Sequence, residues 1–277
     1  LVKLSESLAR LKSKQAIEYA KQAINLTNTL KYQRGKGYAL LYLSRARHFL
    51  GMRKEASDTN NQALEIFRGI DFIPGILDAF ILKGYLLTRE GRFKESLKVL
   101  FHAMDMGIEA ENKEKICLIK YRIGVNYTNL ANHTKALTFY QESLDLAREI
   151  NNSFQMGKCY NNMGFTFESL GELTSGLNYY KKALTIFQKI NDMEWITILN
   201  FNIGINYRKK KKHDLALQHF KVSLSQYREL GDKRTACKVI IQIGTLYFQT
   251  KEFEKAVPYY QEAIKIAKEQ NIKKLLE

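Results

Sequence analysis

Cysteine is scarce, with only Cys117, Cys159 and Cys237 in 277 residues. The odd number excludes a fully paired disulfide framework, and no two of the three stand at metal-ligand spacing. They are expected to be buried thiols, packed as small apolar side chains in a reducing, cytoplasmic setting. Proline is scarcer still, with Pro74 and Pro258 alone, and no Pro- or Ser-rich stretch suggests a linker or disordered tail. No apolar run reaches the ~18–20 residues needed to cross a bilayer, and no secretory leader is visible.

Catalytic signatures are missing too. The chain has no HExxH, CxxC, Walker-type glycine loop or GxSxG. Its histidines, His48, His102, His133, His213 and His219, are scattered, and no strand precedes Gly35-Lys36-Gly37 to make it a phosphate loop. No enzymatic activity, cofactor or metal is therefore expected of this chain. Acidic residues are outnumbered, 28 against 44 basic ones, for a net charge of +16. That balance admits nucleic acid, an anionic surface or an acidic peptide as partner. The densest basic run, Lys209–Lys212, reads either as a grip for phosphate or an acidic partner, or as a solvated turn. It has no interleaved aromatics, so a nucleic-acid partner is not expected.

What the chain does have is repetition. A small residue recurs at Ser44, Gly84, Gly124, Gly164, Gly204 and Gly244, each step being 40 residues (84 − 44). A second column, Ala56, Ser96, Ala136, Gly176, Ala216 and Ala256, keeps the same step, as does a third at Ala63, Ala103, Ser143, Ala183, Ser223 and Ala263. Three residues before the third column stand Leu100, Tyr140, Tyr180, Phe220 and Tyr260.

The pattern predicts two amphipathic helices, A and B, in each repeat. The full repeats are 31–70, 71–110, 111–150, 151–190, 191–230 and 231–270. A clipped repeat over 1–30 ends in a helix at Ser13–Thr29, and a further helix begins over 271–277. One continuous array is expected. Because the chain opens inside an apparent helix without Met and stops inside another, it is expected to be a piece of a longer protein. Gly51, Gly91 and Gly171 mark turns, and Asn or Asp at Asn151-Asn152, Asn191-Asp192 and Gly231-Asp232 can cap the following helix. A lone pair of such helices cannot bury its apolar faces, so stacking on neighbours must supply the core.

These columns resemble the tetratricopeptide repeat. Gly164, Phe167, Gly176, Tyr180 and Ala183 hold that family's small and aromatic places, as do Gly204, Tyr207, Ala216, Phe220 and Ser223. The usual period is about 34 residues; here it is longer, and the usual closing proline is missing. In this the chain is similar to the longer-helix members found in kinesin light chains, spindle-orientation adaptors and bacterial signalling proteins, among them Rap/PlcR-type regulators. The resemblance implies an all-α, right-handed superhelical solenoid that binds peptides or proteins on its concave side, lined by the A helices.

By the family's register the ligand-facing residues are Tyr121, Arg122, Lys158, Asn161, Asn162, Phe165, Phe201, Asn202, Arg208, Lys238, Gln242 and Phe248. The register takes the second, fifth, sixth, ninth and twelfth places of each A helix, so Tyr38, Arg45, Asp78, Tyr85 and Glu168 also face the groove, and His48 is the one histidine at such a place. Arg122, Asn162, Asn202 and Gln242 form a ladder whose amides can pair with a peptide backbone. Arg122, Lys158, Arg208 and Lys238 can meet a carboxylate, while Tyr121, Phe165, Phe201 and Phe248 can take apolar side chains. The plain alternative is that the polar residues only solvate an open groove. The resemblance further implies a sensory or regulatory module in a bacterial cytoplasmic signalling protein, its output domain outside this chain, or else a scaffold adaptor. Homodimerisation through the apolar helix Val257–Ile266 is a further expectation.

Overall fold

The computed structural model describes residues 13–269; the helices expected over 1–12 and 271–277 lie outside them. The described residues form helices and tight turns, with no strand. The helices are α1 Ser13–Thr29, α2 Gln33–Phe49, α3 Arg53–Gly69, α4 Ile73–Arg89, α5 Phe93–Glu109, α6 Lys113–Asn129, α7 His133–Glu149, α8 Ser153–Ser169, α9 Leu173–Lys189, α10 Met193–Lys209, α11 His213–Glu229, α12 Lys233–Gln249 and α13 Phe253–Glu269. Each is 17 residues long. Even-numbered helices are the A helices of the predicted repeats and odd-numbered ones the B helices.

This regularity is set at the helix ends. A residue with positive φ follows every helix from α1 to α12, at twenty-residue intervals from Lys31 to Lys251. Only Gly51, Gly91, Gly171 and Gly231 are glycines; the others include Lys31, Asp71, Ala131 and Asn151. The left-handed residue turns the chain so that the next N–H reaches back to the last turn of the helix. Thus Glu172 N–H donates to the Phe167 carbonyl at 2.9 Å, and Asp192 N–H to that of Phe187 at 3.0 Å. The following residue opens the next helix. Asn152, Asp192 and Asp232 accept the N–H of Gln155, Trp195 and Thr235 at 2.9, 3.0 and 3.0 Å. In these three joints, then, one residue takes the left-handed turn and the other caps.

The chain divides into two compact units, Leu1–Ile150 and Asn151–Glu277. In the first, Leu77, Leu100, Ile119 and Ile123 belong to one buried cluster with Phe67. In the second, Tyr180, Phe187, Leu199, Ile203 and Phe220 do the same. Within each unit every helix packs on its sequence neighbours, and successive A helices also touch: α2 with α4, α4 with α6, and α10 with α12. The A helices therefore form one wall of each stack.

The small-residue columns explain how closely a pair can pack. A Cβ added at Gly124, Gly164 or Gly204 would lie 2.7, 2.8 or 2.6 Å from the ring of Tyr140, Tyr180 or Phe220. Each ring lies directly over the glycine of its own hairpin. At Gly176 the obstacle is backbone, with the Gly164 carbonyl oxygen 2.8 Å away. The three cysteines are buried, as expected, and all three also bond: Cys117 Sγ donates to the Ser143 carbonyl at 3.2 Å, Cys237 Sγ donates to that of Ala263 at 3.3 Å, and Cys159 Sγ accepts from Gln155 Nε2 at 3.8 Å. No described helix is long and apolar enough to cross a membrane.

Candidate binding surface on the A helices

In the second unit, the A wall is built by α8, α10 and α12. Asn202 Nδ2 donates to Asn161 Oδ1 at 2.9 Å, and Asn161 Nδ2 to Asn162 Oδ1 at 3.0 Å. Two rungs of the predicted ladder, Asn162 and Asn202, are thus joined through Asn161, which is not itself a rung, and this chain includes neither Arg122 nor Gln242. Asn161 is buried and braces its two neighbours; Asn162 and Asn202 are half-buried. The Gln242 carbonyl oxygen is enclosed with no hydrogen-bond partner among the described residues.

Beside the amides two rings face solvent, Phe165 at 50% and Phe248 at 57% exposure. Phe201 is half-buried, its ring centroid 6.0 Å from that of Phe220. Lys158 lies 5.6 Å over the Phe154 ring and donates to Gln155 Oε1 at 3.2 Å. Lys238 is exposed, and Arg208 reaches Gln249 only at 3.5 Å. The wall therefore combines apolar faces, amides and cations.

The one acid among this unit's predicted places, Glu168, is consumed. Its side chain is 5% exposed, Lys209 Nζ donates to Oε1 at 2.9 Å, and Asn206 Nδ2 donates to Oε2 at 3.0 Å. The basic run is partly structural for the same reason: Lys209 holds Glu168, and Lys210 Nζ donates to Thr174 Oγ1 at 2.6 Å. Lys211 is the left-handed residue, and Lys212 precedes α11.

In the first unit the wall is built by α2, α4 and α6. Tyr121 is buried, its ring 6.0 Å from that of Tyr140, and offers a ligand little surface. Arg122 places its guanidinium 4.7 Å over the Tyr85 ring, whose other neighbour, the His48 ring, is 5.2 Å away. Asp78 is held by Lys115 Nζ at 2.6 Å and by the Tyr38 hydroxyl at 3.3 Å. Burial raises the Asp78 carboxyl above its usual range, and the Lys115 charge opposes this. The Tyr38 phenol is pushed up to about 12, chiefly by burial and then by the Asp78 charge. Sequence reasoning missed these A-to-A bonds. The only available signal was a repeated offset: Thr88 to Asn126 and Glu168 to Asn206 are both 38 residues apart, and both pairs are hydrogen-bonded.

Helix hairpins of one length, stacked within each unit with their A helices on one wall, define a helical repeat protein. The tetratricopeptide repeat family model matches residues 115–189 and 196–269, more than half of the chain, and the chain belongs to that family. The model for anaphase-promoting complex subunit 5 matches residues 1–69. A curated relative, tetratricopeptide repeat protein 29 of Trypanosoma brucei brucei, is 22% identical over 150 residues; the match covers 54% of this chain and 31% of the relative's length.

Among solved structures, the Rap conjugation gene regulator of plasmid pLS20 in complex with the Phr* peptide superposes with a TM-score of 0.73 at 13% identity, covering 96% of this chain and 72% of that one. The apo form of RapI gives 0.70 at 15% identity, covering 98% of both chains. A signal-transduction ATPase with a tetratricopeptide repeat sensor, from Pyrococcus horikoshii, gives 0.66 at 18% identity over 98% of this chain and 43% of that one. At these identities the likeness is one of fold.

Proposed function

We propose that the A-helix walls bind an extended peptide, and that the chain is the sensory or regulatory module of a bacterial cytoplasmic signalling protein. The coarser statement, a module for protein–protein interaction, follows from the family. The observation that carries the finer one is in the second unit, where exposed Phe165 and Phe248 lie on the same wall as the Asn161–Asn162–Asn202 chain. A peptide needs both: apolar faces for alternate side chains and amides for its backbone. Lys158, Arg208 and Lys238 add positive charge, so an acidic peptide is the expected ligand. The peptide-bound Rap structure supports this reading by analogy of fold.

The scaffold-adaptor reading has its own support in the exposed face of α13, where Val257 and Ile264 are 50% and 47% exposed. At the equivalent places Leu177 and Leu224 are 7% and 6% exposed. A second copy docking on this face would make a homodimer, which sedimentation reads directly. Peptide binding is tested by a peptide-array screen on the chain, repeated with Asn162→Ala plus Asn202→Ala. The double change should weaken a true wall ligand by more than about 1 kcal/mol. Unchanged affinity would move the ligand elsewhere.

A further inference from the structure

In the second unit, the start of α12 is smaller than the repeat prescribes. The place of Ala236 is held by Ile76, Ile116, Met156 and Ile196 in four other A helices. The residue before it differs too. In α10 that residue is Trp195, whose ring stacks on Phe187 with centroids 5.0 Å apart. In α12 it is Thr235, whose hydroxyl donates to Asp232 Oδ2 at 2.7 Å. Where the repeat has two bulky side chains, a cavity of about 230 Å³ stands instead. Its apolar walls are Tyr227 of α11, Ala236 and Ile240 of α12, and Ile266 of α13. The first three are 2%, 3% and 0% exposed.

An apolar cavity of ~150 Å³ accepts a benzene ring, so this one has room for a large side chain. Its mouth calls for no charge on the occupant. Lys233 faces Glu269 at 3.7 Å, and Arg228 Nη2 donates to Glu262 Oε1 at 2.7 Å. Ala236 and Ile240 lie on the side of α12 turned away from the wall places Lys238, Gln242 and Thr245. On that side a cleft of about 690 Å³ runs between α11 and α13 over Leu224, Ile243 and Tyr247. Arg228 lines both the cleft and the cavity. A free small molecule would use the cavity alone. A side chain seated in it brings a backbone that needs a path, and the cleft supplies one.

We propose that the second unit carries a second docking surface, between α11 and α13, for a protein segment anchored by one large, uncharged apolar side chain in the Ala236 cavity. This surface is on the far side of α12 from the A wall and does not depend on the peptide reading there.

The test is methyl NMR on the whole chain, labelled at the isoleucine δ1 and alanine methyl carbons. The Ile240 and Ile266 signals are assigned by their loss in Ile240→Val and Ile266→Leu. The probes are acetyl-Gly-Phe-Gly-amide, acetyl-Gly-Ala-Gly-amide and toluene. Saturable shifts of Ala236, Ile240 and Ile266 are expected with the Phe peptide, at about tenfold lower concentration than with the Ala peptide, and more weakly with toluene. Ala236→Ile, and Ala236→Met as a second filling, should abolish them with the urea midpoint unchanged or raised. No saturable shift, or equal shifts with the Ala peptide, would overturn the proposal, and this comparison decides it even where neither filled variant folds. Ile266 shifts kept in a folded Ala236→Ile chain would place the ligand elsewhere and overturn it too. Toluene binding as tightly as the Phe peptide would give the cavity to a free apolar molecule. A Phe peptide that binds only after Ile272→Ser, Leu275→Ser and Leu276→Ser together would give it to the chain's own last residues. Either result would remove the partner segment.

Discussion

Replacing Gly164 and Gly176 by alanine tests the packing at its tightest point. A Cβ at Gly164 would lie 2.8 Å from Tyr180 Cδ1 and 3.0 Å from the Gly176 oxygen. Tyr180 is 1% exposed, so its ring has little room to retreat. Overpacking of this kind costs about 1–3 kcal/mol, and alanine returns about 1 kcal/mol of helix propensity. The expected net loss for Gly164→Ala is about 1 kcal/mol. At Gly176 the nearest obstacles are the Gly164 oxygen at 2.8 Å and the Glu168 nitrogen at 3.2 Å, both backbone. Relief there means moving two helices apart, so Gly176→Ala should cost about 2–3 kcal/mol. At Gly244 the nearest atom is 3.0 Å away on the half-buried Tyr260, in the hairpin that ends the described residues, and Gly244→Ala should be near neutral. Urea denaturation followed by far-UV circular dichroism reads all three. Adding Tyr180→Leu should relieve the Gly164→Ala clash and leave that of Gly176→Ala in place. Equal stability of the three alanine variants would refute the assignment of the strain to the ring and the backbone oxygen.

Other outcomes follow from single contacts. Ala131 is left-handed at φ 55 without a polar side chain to help, so Ala131→Gly should raise stability by about 0.5–1 kcal/mol in the same assay. Glu168→Ala strips buried Asn206 of its acceptor and should cost about 2–3 kcal/mol. Adding Asn206→Leu, the residue found at the equivalent Leu86 and Leu246, should recover most of that loss. Burial lowers the His219 and His48 imidazoles below their ordinary range, and neighbouring positive charges add to the effect. A base with a depressed folded pKa contributes stability above its unfolded value, and loses it as pH falls through about 6.5. Stability should therefore decline between about pH 7 and 5, and His219→Gln should flatten the slope measured by denaturation at several pH values.

The helices were legible because every packing place is written several times over. Gly124 under Tyr140, Gly164 under Tyr180 and Gly204 under Phe220 are one contact repeated, and a column of such pairs survives local irregularities. Lys83 is one of these, half-buried at the place where Ile123, Ile203 and Ile243 are fully buried. Pro258 is another, and α13 runs through it. The turns were legible in part. Glycine announces four of the twelve left-handed residues, and the other eight are invisible to composition because hairpin geometry, not residue preference, imposes the turn.

The walls were the least legible part, and the reason is physical. A core place answers to one demand, size, which the repeat imposes alike on every copy. A wall place answers to a particular neighbour on the next A helix: Asn161 to Asn202, Asp78 to Lys115, Glu168 to Asn206 and Lys209. Apart from the 38-residue offset that Glu168–Asn206 shares with Thr88–Asn126, these bonds have no column to betray them. They also decide which wall charges are spent. Glu168 and Asp78 look like ligand-facing acids in the sequence, yet both are consumed within the fold. Arg122 looks like one cation among many, yet among the described residues it alone combines contacts on two tyrosine rings with an enclosed, unpartnered Nε. Finding the wall charges that the fold does not use therefore requires the partners of every charged wall residue, not the register alone.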